Sequence, residues 1–179
     1  HLRTGRHDGY LESEEAVVTW CVGHLVTMSY PEAYDEKYKR WSLETLPFLP
    51  GEFKYEVISG VAKQYRIVAS LLNREDVETI YVCTDSGREG EYIYRLVEQM
   101  AGVKGKERRR VWIDSQTEEE ILRGIREAKD LSAYDNLSSS AYLRAKEDYL
   151  MGINFSRLLT LKYGNSISNY LRTKYAVIS

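Results

Sequence analysis

The stretch TIYVCTDSGREGE, residues 79–91, contains the clearest structural pattern of this sequence. Residues 79–84 form a short, largely apolar run, and the polar turn that begins at Asp85 ends it. Apolar residues then recur at helical spacing: Ile93, Leu96, Val97 and Met100. This order predicts a buried strand, a tight turn and an amphipathic helix.

The segments on either side extend the alternation of strands and helices. Residues 61–73 have an approximate apolar face and predict a helix. The basic run 104–110 favours a solvated loop over a DNA-binding patch. The apolar run 111–113 predicts a strand, and residues 117–129 predict a helix with its apolar side inward. Such spacing predicts an α/β fold, in which helices flank a mainly parallel sheet.

The two ends of the sequence differ in character from this centre. Residues 9–12 and 16–23 predict two short strands, and the apolar composition of the second favours a buried one. Residues 28–50 hold all three prolines and five aromatic residues, so we expect an ordered irregular loop there. From about residue 131 to residue 162 the pattern is helical throughout.

The composition is that of a soluble protein with one sizeable core. At 179 residues, 43% of them hydrophobic, the chain can form one domain, placed at 1–115, and an all-helical extension at 116–179. No apolar run approaches the roughly 18 residues of a membrane span, and the polar start is unlike a signal peptide, so we expect a cytoplasmic protein. We expect Cys21 and Cys83 to be reduced and to lie in the core. The net charge of -2 argues against binding nucleic acid through bulk charge, although basic residues predominate after residue 140.

The acidic turn places Asp85 and Glu89 at the carboxyl end of a predicted strand, where open α/β sheets bind ligands. Carboxylate oxygens suit Mg²⁺, which takes one or two of them beside a phosphate, and Arg88 could bind that phosphate. Ser86 and Glu89 also have the spacing of a capping box, which would only satisfy the start of the helix. Spacing alone slightly favours capping, but capping gives no reason for Asp85 and Arg88.

A resemblance to a known family goes further than spacing. TDSGREGE, residues 84–91, resembles the acidic motif of the Toprim domain in type IA DNA topoisomerases, with Gly87 in place of the motif's second aspartate. YDEKYKRWSLETLPFLP, residues 34–50, resembles a loop of the topoisomerase III branch. WIDSQT, residues 112–117, and the segment from 134 to 160 resemble the exit from the Toprim domain and the start of a second DNA-gripping domain.

The resemblance implies a Rossmann-like Toprim domain that opens after the first strand of the family. It also implies an enzyme that breaks and reseals one DNA strand without ATP, through a tyrosine outside this chain. The implied cofactor is Mg²⁺. The implied partner is DNA, with a preference for single strands, and no membrane is implied. The implied site residues are Asp85 and Glu89 for the metal, Arg88 and Glu89 for catalysis, and His24, Arg88, Arg144, Asn154 and Arg157 for nucleic acid.

Simpler interpretations of several residues stay open from the residue types alone. A lone histidine after an apolar strand, such as His24, is more often a hydrogen-bonded structural residue. Arg144 and Asp148 also fit an exposed helical ion pair, and Asn154 and Arg157 fit the polar side of an amphipathic helix.

Two other functions and the oligomeric state are open as well. A Toprim nuclease or primase would share the acidic turn, but not the segment from 134 to 160. A non-catalytic module could bind a nucleotide or a partner protein through an α/β scaffold, although the sequence lacks a glycine-rich phosphate loop.

Overall fold

The computed structural model describes the backbone of residues 5–174 and the side chains of residues 7–164. The chain divides into two compact units. The first contains the chain up to Thr27 and Tyr55–Leu143, and the second contains Met28–Lys54 and the chain from Arg144 onward. The predicted boundary near residue 115 separates sequence domains and not these compact units, so it stays a prediction.

The first unit begins with an antiparallel meander of three short strands. These are β1 (Gly5–His7), β2 (Tyr10–Glu12) and β3 (Val17–Thr19), paired in the order β1-β2-β3. The two predicted strands near the start are therefore confirmed. The expectation that the second is buried is wrong, because alternate apolar residues along it are exposed: Val18, Trp20 and Val22.

A two-stranded sheet and a helix follow in the first unit. The strands are β4 (Val26–Met28) and β5 (Tyr55–Val57), and the helix is α1 (Ala62–Leu72), close to its predicted bounds. Apolar side chains from this region enter the core: Leu25, Val26, Val68, Leu71 and Leu72.

A mixed sheet with two helices completes the α/β part, and confirms the predicted fold class. Its strands are β6 (Thr79–Val82), β7 (Glu107–Arg110) and β8 (Lys129–Asp130). β6 and β7 are parallel, whereas β7 and β8 are antiparallel. The predicted strand, turn and helix are confirmed, since α2 (Arg88–Ala101) follows β6, and α3 (Glu118–Arg126) follows β7.

The basic run and its surroundings differ from the prediction. The run 104–110 is not a loop throughout, because its last four residues form β7 and pair with β6 up to Val82–Arg110. The apolar residues 111–113 lie after the strand instead of forming it. Charged side chains can occupy such a strand when they reach solvent or a buried partner, as Arg110 does.

Two expectations about burial are also wrong. Cys83 is exposed, and only Cys21 is partly buried. The apolar side of α3 does not face inward within the described part of the chain, where its large apolar residues are exposed: Ile121, Leu122 and Ile125.

The second unit combines an irregular segment with a long helix. Met28–Lys54 contains three single-turn 3-10 helices, which confirms the predicted irregular loop. The fully buried ring of Phe48 packs edge-on against Tyr34 and Tyr38. The helix α4 spans Asp135–Lys174, belongs to this unit from Arg144 onward, and confirms the helical pattern. No helix in the described residues is long and apolar enough to cross a membrane.

Candidate functional site

The acidic turn between β6 and α2 brings three predicted site residues together. Asp85 lies in the turn, and Arg88 and Glu89 are the first two residues of α2. All three are exposed. They therefore form one exposed group at the carboxyl end of β6, as the sequence pattern predicts.

Gly90 allows this turn to close tightly. A Cβ at this position would lie 2.1 Å from the carbonyl oxygen of Asp85 and 2.7 Å from its nitrogen, so the backbone could not approach with any other residue. Thr84 Oγ1 donates a hydrogen bond to the carbonyl of Gly90 at 2.8 Å. Gly87 differs, because a Cβ there would meet no atom within 4 Å and its φ of 175° is extended backbone.

Ser86 does not cap α2. The N-cap residue is Gly87, and no side chain caps the helix. The hydroxyl of Ser86 instead accepts a hydrogen bond from the backbone N–H of Ile113 at 2.9 Å. The capping-only interpretation is therefore wrong, and Ser86 ties the turn to the segment after β7.

His24 contacts the acidic turn from the loop between β3 and β4. Its Nε2 lies 2.5 Å from Oε1 of Glu89, whose side chain is 74% exposed. The imidazole also meets the ring of Tyr92 edge-on, with centroids 5.9 Å apart. Burial raises the pKa of Tyr92, so its hydroxyl stays neutral beside the pair. The contact fits a hydrogen-bonded structural histidine, and a role of His24 toward nucleic acid stays a prediction.

Glu91, the third carboxylate of the motif, is not available at the surface. It is fully buried, and accepts hydrogen bonds from Nε of Arg95 at 2.8 Å and from Nε of Arg110 at 2.9 Å. Within the described residues, no group of three or more His, Cys, Asp or Glu side chains could hold a metal ion. The turn therefore offers two exposed carboxylates, those of Asp85 and Glu89.

Arg144 lies on the surface of α4, in the second unit. Its Nε is 3.2 Å from Oδ2 of Asp148, and the two side chains are 62% and 65% exposed. The exposed ion pair that the spacing suggests is therefore formed. A contact of Arg144 with DNA phosphate stays a prediction.

Asn154 and Arg157 bind the irregular segment of the second unit. Asn154 accepts from the N–H of Phe48 at 2.6 Å and donates to its carbonyl at 2.9 Å. Arg157 is 4% exposed, donates to the carbonyl of Tyr38 at 2.9 Å, and lies 3.6 Å from the carboxylate of Glu32. Neither residue is simply part of a solvated helix face, and their role toward nucleic acid stays a prediction.

Comparison with known proteins identifies the family. The profile of the Toprim domain matches residues 5–115, which is more than half of the chain. The chain belongs to the Toprim domain family.

The Toprim chain is also similar to curated bacterial enzymes over nearly its whole length. It is 42% identical over 163 residues to DNA topoisomerase 3 of Staphylococcus epidermidis (strain ATCC 12228 / FDA PCI 1200), covering 91% of this chain and 23% of that protein. Identity to DNA topoisomerase 3 is 44% over 161 residues for Bacillus anthracis and 42% over 161 residues for Bacillus subtilis (strain 168). Each of these two alignments covers 90% of this chain and 22% of the relative. The resemblance to the topoisomerase III branch is confirmed, and the Toprim chain spans less than a quarter of the length of these relatives.

One residue of the site region, Arg110, does not stand out in the sequence of the Toprim domain. It ends a run of charged residues, 104–110, in which nothing distinguishes it from Arg108 or Arg109. The available signal was its position directly before the apolar residues 111–113.

Proposed function

We propose that this chain is the magnesium-binding, phosphate-positioning part of a type IA DNA topoisomerase of the topoisomerase III branch. The observation that carries the proposal is the exposed pair Asp85 and Glu89 at the carboxyl end of β6, in a Toprim domain with relatives named DNA topoisomerase 3. The intact enzyme would break one DNA strand with a tyrosine supplied from outside these residues. No ATP would be needed, because the phosphotyrosine link keeps the energy of the broken bond.

The donors of the turn fit Mg²⁺. This ion keeps several waters and binds through one or two carboxylates beside substrate phosphates. Asp85 and Glu89 would hold it, since both carboxylates are exposed and two carboxylates are as many as Mg²⁺ usually takes from a protein. A bound Mg²⁺ would offset the negative charge of the phosphate during rejoining.

Arg88 and His24 would act beside Glu89. Arg88 is exposed at the first position of α2, where both its guanidinium and the helix start favour an anion. It would bind the reacting phosphate and stabilise the charge that develops on it. His24 would keep the Glu89 carboxylate in place through their 2.5 Å contact, and would contact DNA nearby.

The second unit would contribute further DNA contacts. Arg144 has an exposed guanidinium, so it could bind a backbone phosphate in a salt-dependent way. Asn154 is hydrogen-bonded to the backbone of Phe48, and Arg157 to the backbone of Tyr38. They would contact nucleic acid through these polar groups only by giving up those hydrogen bonds. Their contribution in the arrangement described would be to hold the irregular segment. Single-stranded DNA is the proposed substrate form.

Metal binding to the 179-residue chain tests the proposal. Free Mn²⁺, used as a substitute for Mg²⁺, can be measured by electron paramagnetic resonance during a titration. Asp85→Asn and Glu89→Gln should each weaken binding by about 10-fold or more, since each removes one charged ligand. Glu119→Gln is the matched control, because Glu119 is exposed and is the second residue of α3, as Glu89 is of α2. Equal binding by the parent and both turn variants would refute the site.

A second experiment separates the proposal from a nuclease. The chain is incubated with supercoiled plasmid and Mg²⁺, and the DNA forms are resolved on a gel. We expect intact supercoiled plasmid, because the proposed nucleophile lies outside the chain. Nicked or linear product that Asp85→Asn abolishes would favour a Toprim nuclease, and relaxed closed circles would contradict the proposed place of the nucleophile.

A further inference from the structure

Arg110, the last residue of β7, places a fully buried guanidinium behind the acidic turn. Its Nη1 donates to the carbonyls of Val82 at 3.1 Å, Thr84 at 2.7 Å and Val111 at 3.0 Å. Its Nη2 donates to the carbonyl of Asp85 at 2.6 Å. One side chain thus binds backbone oxygens on both sides of the point where β6 becomes the turn.

The carbonyls of Thr84 and Asp85 lie beyond the last pair of the β6–β7 ladder. That ladder ends at Val82–Arg110, so no strand residue is paired with these two. Carbonyls that are shielded from water without a partner are costly, and Arg110 donates to both of these carbonyls in part-buried contacts. The turn is fixed at its backbone, while the carboxylate of Asp85 remains exposed.

Glu91 provides the counter-charge that allows Arg110 to be buried. Its carboxylate is fully buried and accepts from Nε of Arg110 at 2.9 Å. The other oxygen accepts from Arg95 at 2.8 Å, and Arg95 in turn donates to Asp135 and to the carbonyl of Leu131. The network therefore connects β7, α2 and the start of α4 to the acidic turn.

Stability alone is a weak reason for such a pair, because apolar residues of similar size are often at least as stable as a buried ion pair. An apolar side chain, however, could not bind the carbonyls of Thr84 and Asp85. We propose that Arg110, with Glu91 as its counterion, is a positioning residue that sets the backbone of Asp85 for metal binding. This inference rests on the proposed function.

Arg110→Lys in the 179-residue chain tests the inference. Lysine keeps a charge beside Glu91, but its single ammonium cannot reproduce the planar fork that reaches several carbonyls. We expect a folded protein with unchanged circular dichroism that binds Mn²⁺ about 10-fold or more weakly. Hydrogen exchange should also become faster at the backbone amides of residues 85–89. Arg109→Lys is the matched control, since Arg109 is the neighbour in β7, is 41% exposed and pairs with Glu107.

A second variant covers the case in which Arg110→Lys does not fold. Arg110→Met combined with Glu91→Met removes both charges of the buried pair together, and Arg95 keeps its contacts with Asp135 and with the carbonyl of Leu131. The double variant should fold and should show the same weaker Mn²⁺ binding and faster exchange at the turn.

The outcomes separate the two proposals. If parent binding depends on Asp85 and either folded Arg110 variant binds Mn²⁺ as tightly as the parent, the positioning role is refuted while the proposed metal site stands. If the parent itself binds no Mn²⁺, the metal site fails and the positioning role for metal binding fails with it. Faster exchange at 85–89 in that case would still show that Arg110 holds the turn.

Discussion

Arg110 in the first unit and Arg157 in the second are both buried arginines beside an indole ring. The guanidinium of Arg110 lies 5.2 Å from the centre of Trp112, and that of Arg157 lies 5.1 Å from the centre of Trp41. Their counter-charges differ. Glu91 is fully buried 2.9 Å from Arg110, whereas Glu32 is 47% exposed and 3.6 Å from Arg157.

The difference extends to the remaining donors. The guanidinium nitrogens of Arg110 all donate, to Glu91 and to four carbonyls. Nε of Arg157 is buried and is without a hydrogen-bond partner in the described part of the chain. Every guanidinium nitrogen of Arg110 is thus satisfied around a fully buried counter-charge, while Arg157 has a half-exposed counter-charge and one donor without a partner. We expect substitutions at the Arg110 pair to destabilise the protein much more than substitutions at the Arg157 pair.

Removing the two counter-charges tests this difference most directly. Glu91→Gln leaves Arg110 as a buried charge without its counterion, and should lower the free energy of unfolding by about 3–5 kcal/mol. Glu32→Gln is the matched change in the second unit, and should cost below about 1 kcal/mol, because the carboxylate is half exposed. Urea unfolding followed by circular dichroism measures both. Equal losses would show that carboxylate burial does not set the difference.

Arg157→Met should have the next largest effect. The carbonyl of Tyr38 loses a charged donor, and we expect a loss of about 1–3 kcal/mol, since Glu32 can turn to solvent. The change should be local, with faster hydrogen exchange in Met28–Lys54 and altered fluorescence of Trp41. Arg144→Met, at an exposed position of the same helix, is the control. Faster exchange in β6 or α2 instead would contradict a local role.

Two glycines of the acidic motif, Gly87 and Gly90, test its exposed side and its fixed backbone separately. Gly87→Asp should change stability by no more than about 0.5 kcal/mol, because a Cβ there meets no atom within 4 Å. The added carboxylate should tighten Mn²⁺ binding on the order of 10-fold. Gly90→Ala is the opposite case, because its Cβ would collide with the Asp85 backbone and weaken both folding and Mn²⁺ binding. Unaltered Mn²⁺ affinity in Gly87→Asp would place residue 87 away from the ion.

The smallest effect on folding is expected for Arg144, the exposed counterpart of the two buried arginines. Arg144→Ala breaks an i, i+4 pair in solvent, and should cost only about 0.3–0.5 kcal/mol. Affinity for labelled single-stranded DNA, measured by fluorescence anisotropy, should fall, and its salt dependence should decrease by about one unit of slope. Lys162→Ala, another exposed basic residue of α4, is the comparison. An unchanged salt slope would remove Arg144 from the proposed DNA contacts.

Local pattern predicted the centre of the fold well and its charged strand poorly. Residues 79–100 combine a short apolar run with a strong helical repeat, and both β6 and α2 formed where expected. The strand β7 is made of Glu107–Arg110, and such a run is more often a solvated loop. It forms because β6 supplies backbone partners and Glu91 neutralises its last residue, and neither is visible in the run.

The candidate site likewise has one part that the local sequence predicts and one part that depends on folding. Asp85, Arg88 and Glu89 are neighbours in the chain, so their grouping follows from a strand that ends and a helix that begins. His24 reaches Glu89 across 65 residues of sequence, and that contact depends on the packing of separate elements. Apolar composition likewise suggested a buried second strand, and apolar periodicity a buried side for α3, but large apolar residues of both segments are exposed.

Sequence alone established the α/β class, the position of the acidic turn and the resemblance to the topoisomerase III branch, because these depend on local order along the chain. It did not reveal that Glu91 is buried, that Ser86 binds Ile113 instead of capping α2, or that Arg110 holds the turn. Those properties depend on which residues meet after folding. The environment that a charged side chain finds is set by distant parts of the chain, and its own neighbours in sequence do not encode it.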